Sequence, residues 1–178
     1  MNPWILLFSA IVNGYAPSGL AAPLKEYDAK VIFSFNFARY TQWPETTFSD
    51  PKADLNFCVL AQTSLITDAF KKIQGKKIGT RTVNLSINKR ITKQLQQCHA
   101  LFVGKTDRNK MLRLFSTTQG RPILIIGEMP NFASQKSGGM INFTHPNKFE
   151  VNPDILAKAG LKLSAKVLKL KNTTIISH

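Results

Sequence analysis

The chain has 178 residues, 43% of them hydrophobic, and carries a formal net charge of +14. That length suits one domain with a sizeable core and excludes two ordinary ones. All of the charge lies beyond residue 22, which directs attention to an anionic surface, an acidic polymer or an acidic partner protein.

Residues 1–22 hold no charged side chain, run apolar from Trp4 to Val12 and end in small residues at Gly19, Ala21 and Ala22. This is the pattern of a secretory signal peptide, with cleavage expected after Ala21 and a domain from residue 22 to 178. The positive start typical of such segments is missing apart from the α-amino group. The apolar stretch also falls well short of the ~20 residues that span a bilayer. Export to the periplasm follows, and it argues against nucleic acid as a physiological partner.

The spacing of Leu24, Tyr27, Val31, Phe35 and Ala38 predicts a helix over 24–41, with Ile32, Phe33, Phe37 and Tyr40 on neighbouring faces. A helix apolar on several sides is either sunk in a core or partly covered by another chain, a homodimer among the options. Trp43-Pro44 stops it, because the residue before proline is pushed out of the helical region. Leu55–Ala61 is expected as a buried strand, 64–73 as a helix capped by Thr63 or Ser64, and Gly75 as the turn out of it. Then follow a half-buried strand at 82–87, a weak helix at 89–97, a buried strand at 100–103, a helix at 107–115 and an apolar strand at 122–126.

Gly138-Gly139-Met140-Ile141-Asn142-Phe143, the turn residues His145-Pro146-Asn147-Lys148 and Phe149-Glu150-Val151-Asn152 make a hairpin with a Gly-rich approach. Short helices at 153–159 and 164–170 close the chain, Gly160 ends the first of them, and the polar tail from Asn172 is expected to fray. The order of strands and helices predicts an α/β fold. It would be a single-domain layered sandwich: a mixed, mostly parallel sheet with helices on both faces and a C-terminal antiparallel hairpin.

Chemistry is thinly represented. The three histidines are 99, 145 and 178. Cys98 and His99 are adjacent on a strand and point to opposite faces, the wrong arrangement for a nucleophile and its base. No phosphate-cradling loop, nucleophile elbow, dinucleotide fingerprint or metal-ligand spacing occurs, so neither catalytic residues nor a cofactor or metal site is expected. Cys58 and Cys98, an even pair in an exported chain, are expected to form a disulfide; two separately buried thiols are the alternative. Gly138 and Gly139 could offer backbone amides to an anion, although paired glycines more often serve a turn or bulge.

Several segments in one order resemble the YfiR/HmsC family. They are Lys30 to Pro44 with its Trp-Pro ending, the Cys58 strand, Cys98 to Phe102, Arg121 to Leu124, Gly127 to Phe132, Gly138 to Phe143, Phe149 to Asn152 and Ala159 to Lys162. The resemblance implies a non-enzymatic periplasmic regulator that binds the periplasmic portion of an inner-membrane diguanylate cyclase and holds it inactive. Relief by an OmpA-like outer-membrane lipoprotein or by redox stress would raise cyclic di-GMP and favour biofilm. Some relatives carry a second cysteine pair near the hairpin, which this chain lacks. The resemblance and strand alternation together place the expected partner surface on Met140, Ile141, Phe143, Glu150 and Leu156. A small-molecule or anion-binding module of the periplasm is the competing reading.

Overall fold

The computed structural model describes residues 21–134 and 138–176. The expected signal segment therefore lies outside the described residues except for Ala21. The described residues begin with α1 (Ala21–Arg39), which ends ahead of Trp43-Pro44, and continue through β1 (Thr41–Gln42). β2 (Leu55–Leu60), α2 (Ser64–Phe70), β3 (Lys77–Ile78), β4 (Arg81–Asn88), β5 (Ala100–Val103), α3 (Arg108–Thr118) and β6 (Leu124–Gly127) form the central body. The hairpin β7 (Ile141–His145) and β8 (Lys148–Val151) leads to α4 (Pro153–Lys158), β9 (Lys162–Leu163), α5 (Ala165–Leu168) and β10 (Thr173–Ile175).

One eight-stranded sheet runs β10-β8-β7-β6-β5-β2-β4-β3. Within it β4, β2, β5, β6 and β7 are mutually parallel neighbours, a doubly wound order in which the direction of winding reverses between β2 and β5. The mixed, mostly parallel α/β architecture is thus as the sequence predicts. Strands buried on both faces need apolar side chains at consecutive positions, not alternate ones. Accordingly, every residue of β5 and β6 is buried.

Phe57 and Phe102 point to the face that carries α2, where Phe70 packs on both at centroid distances of 5.7 and 4.6 Å. Phe143 and Phe149 lie on the same face under Phe37 of α1. Alternation sends Met140 to the opposite face, where it shares a cavity wall with Phe115 of α3 and Ile155 of α4. Both faces are therefore roofed by helices.

Several expected elements change shape. The weak helix at 89–97 shrinks to a 3-10 turn at Lys93–Gln97. The strand expected from Pro122 begins at Leu124. The helix expected over 164–170 is only Ala165–Leu168, and it is preceded by β9, which pairs antiparallel with β1. The tail does not fray as a whole: β10 joins the sheet beside β8, with Thr173 opposite Phe149. Polar side chains obscured this strand because its hold on the sheet is through the backbone.

Cys58 and Cys98 are bonded, with Cα atoms 5.8 Å apart. The bond ties the middle of β2 to the residue two places before β5. Cys98 is therefore no thiol nucleophile. His99 serves the backbone instead: its Nδ1 accepts from the Asn56 amide at 2.9 Å, and its ring lies 4.4 Å from that of Phe48. Burial, first, and the nearby positive charge of Arg81 lower its pKa against the opposing hydrogen bond to the Thr47 backbone.

Candidate functional site

The expected partner surface does not stand open. Met140, Ile141, Phe143 and Leu156 are all buried, Ile141 completely. Alternation correctly assigned Ile141 and Phe143 to one face and Met140 to the other, but helices cover both, so no apolar pair is left over. Leu156 belongs to the core side of α4. Glu150, the fifth residue, is half-buried and accepts a hydrogen bond from Asn142 Nδ2 at 3.0 Å.

These hydrogen bonds explain why the hairpin carries polar residues at all. Asn142 Oδ1 accepts from the Met129 amide at 3.0 Å, while Asn152 Nδ2 donates to the Ala133 carbonyl at 2.7 Å. Asn152 also caps α4 by accepting from the Ile155 amide. The hairpin thereby pins the loop that leaves β6. Gly138 and Gly139 serve the same closeness: a Cβ on Gly139 would sit 1.9 Å from the Phe132 carbonyl oxygen, and one on Gly138 2.1 Å from the Phe115 ring. The two glycines are packing positions against ring and carbonyl, which leaves the anion-cradle expectation without support.

The pinned loop starts with a residue that sequence reasoning missed. Glu128 follows β6 directly, and its side chain is only 1% exposed. Lys30 of α1, 5% exposed, reaches it with Nζ 2.7 Å from Oε2 and also bonds Glu26 one turn earlier. Tyr27 adds its hydroxyl to Glu128 Oε1 at 3.4 Å, and Lys30 lies 4.8 Å from the centre of the Tyr27 ring. Burial opposes the charge on Lys30, but the hydrogen bonds it donates to Glu128 and Glu26, with their charges, outweigh it and its pKa is raised. The Tyr27 hydroxyl is pushed up by burial and then by the Glu128 charge. A paired, hydrogen-bonded set of this kind holds α1 on the end of the sheet. Its signal in the sequence is faint: one lysine inside an apolar helix and one glutamate right after an apolar strand.

Exposed apolar side chains remain at several places, Ile87, Leu112 and Ile175 among them, and the most exposed of the large ones, Ile32, is on the outer side of α1. Lys30, Val31, Ser34, Phe37 and Ala38 turn inward, whereas Ile32 is 61% exposed and Tyr40, just past the helix end, is exposed as well. Phe33 and Phe35 flank that stripe half-covered. Between α1 and α5 a groove of about 190 Å³ is lined by Phe33, Tyr40, Val167 and Leu170, with Lys166 at its rim. Such an arrangement can bind an apolar or mildly acidic protein surface and offers nothing for bond-making chemistry.

A doubly wound sheet closed by a pinned hairpin, with exposed apolar residues on α1 and structural roles for Cys58, Cys98 and His99, defines a small binding domain. Residues 27–171 match the YfiR/HmsC-like family, and the chain belongs to that family, one of periplasmic regulators and not of enzymes.

Proposed function

We propose that this protein acts in the periplasm, binds the periplasmic portion of an inner-membrane diguanylate cyclase and represses it, so lowering cyclic di-GMP and restraining biofilm formation. The observation that carries this reading is the family match over residues 27–171. Repression of this sort needs only that the protein bind the inactive cyclase conformation more tightly than the active one.

The contact is proposed for the outer side of α1, around Ile32, Tyr40 and the groove to α5, because the hairpin's apolar residues are occupied by the core. Glu150, half-exposed on the return strand, faces away from Phe149 and α1 and is a separate candidate contact on the other face of the sheet. Deleting the gene should raise cyclic di-GMP, and complementation with the exported protein should restore it. Unchanged cyclic di-GMP in the deletion strain, with the protein normally expressed in the parent, would refute the reading.

A further inference from the structure

The winding of the sheet reverses between β2 and β5, and in doubly wound folds the crevice outside the carboxyl ends of the strands at that reversal is where ligands bind. Here the crevice is open, with a volume of about 250 Å³. Lys89 and Arg90 reach it from the end of β4, Lys105 from the end of β5, and Lys110 and Arg113 from α3. No aspartate or glutamate lines it. Lys110 is engaged with Asp107 at 3.0 Å, but Lys89, Arg90, Lys105 and Arg113 are exposed and form no ion pair among the described residues.

The floor is built for close approach. Gly104 follows β5, and a Cβ there would meet Ile66 Cδ1 at 3.1 Å and the Ala61 Cβ at 3.2 Å. Gln62, after β2, bridges the rim by donating to the Lys89 carbonyl at 2.6 Å. Three successive parallel strands thus end around one concavity whose free side chains are cations, and mutual repulsion among them is relieved by an anion held between them.

We propose that this crevice is a binding site for a small, multiply charged oxyanion, a phosphoryl compound or a polycarboxylate. It is independent of the cyclase and of the α1 surface. Calorimetric titration of the purified exported protein with inorganic pyrophosphate tests it directly, with citrate as the second probe. Saturable one-to-one binding is expected, weakened at least tenfold by Lys105→Glu with Arg113→Glu. Lys162→Glu with Lys169→Glu, the same change of charge at exposed positions elsewhere, should leave the affinity within twofold. Tighter binding of pyrophosphate assigns the phosphoryl class, and tighter binding of citrate the polycarboxylate class. Absence of saturable binding by both probes, or equal weakening by the two double variants, overturns the proposal.

Discussion

Charge gathers at two places along the carboxyl edge of this sheet, and the two are built in opposite ways. After β6, Glu128 is sealed under α1 against Lys30, with Tyr27 and Glu26 completing its surroundings. After β4, β2 and β5, five cations surround an open crevice and only one of them has a carboxylate partner. A buried pair whose members satisfy each other has no bonding capacity left for a ligand, and it acts as a clasp. An exposed, one-signed cluster contributes little to holding the fold and keeps its capacity for something outside it.

Substitutions should separate the two regions, and the largest effects belong to the clasp. Glu128→Ala leaves Lys30 charged and buried without its main partner, and loss of one member of a buried pair costs about 3–5 kcal/mol. Urea denaturation should show that loss, and a cost under about 1 kcal/mol would mean that the pair is not the clasp described. The contribution of Lys30 is fully present at neutral pH. Its folded pKa is raised, so this stability disappears only as the pH rises through that value.

Next comes the disulfide, which closes a loop with a sequence separation of 40. On chain-entropy grounds Cys58→Ser with Cys98→Ser should cost about 4 kcal/mol, read by the same denaturation. A midpoint unchanged by the double substitution would contradict it.

A smaller effect is expected at His99. Its folded pKa is depressed below the ordinary 6.5, so the unfolded chain binds the proton more readily. Its contribution is complete above the unfolded pKa and is lost as the pH falls through the folded one. NMR titration of the His99 ring should give a pKa under 6.5; a value above it would reverse the sign. Smallest of all on stability should be Ile32→Asp, within about 0.5 kcal/mol, because the side chain is exposed. A large loss of stability there would show that the α1 stripe is structural and would remove it as a contact surface.

Much of this architecture is legible in the residue order because burial writes it there. Ala100–Val103 reads as a strand from its unbroken apolar run, and Asp107 marks the start of α3, where it accepts from the Lys110 amide at 2.8 Å. What stayed hidden depends on distant partners. Lys30 and Glu128 lie 98 positions apart, and nothing local announces that they meet. β10 looks like a loose tail because backbone pairing with β8 is indifferent to its polar side chains. Alternation in the hairpin sorts Ile141 from Met140 correctly, yet whether a face is roofed depends on helices elsewhere in the chain. For the same reason the hairpin's apolar residues turn out to be core, and the most exposed large apolar side chain among the described residues, Ile32, lies on α1. The most distinctive segment, Gly138 to Asn152, proves to be the fastening of a loop, and its glycines and asparagines are explained by closeness and hydrogen bonds within the domain.

The proposed function has this domain capture a diguanylate cyclase through the outer side of α1. Affinity capture from detergent-solubilised inner membranes, followed by assay of the retained material for cyclic di-GMP synthesis from GTP, measures it most directly. The unaltered protein should retain a membrane protein with that activity, and Ile32→Asp, folded to the same stability, should retain at most a tenth as much. Capture of no cyclase by the unaltered protein, or equal capture by the two, would contradict that proposal.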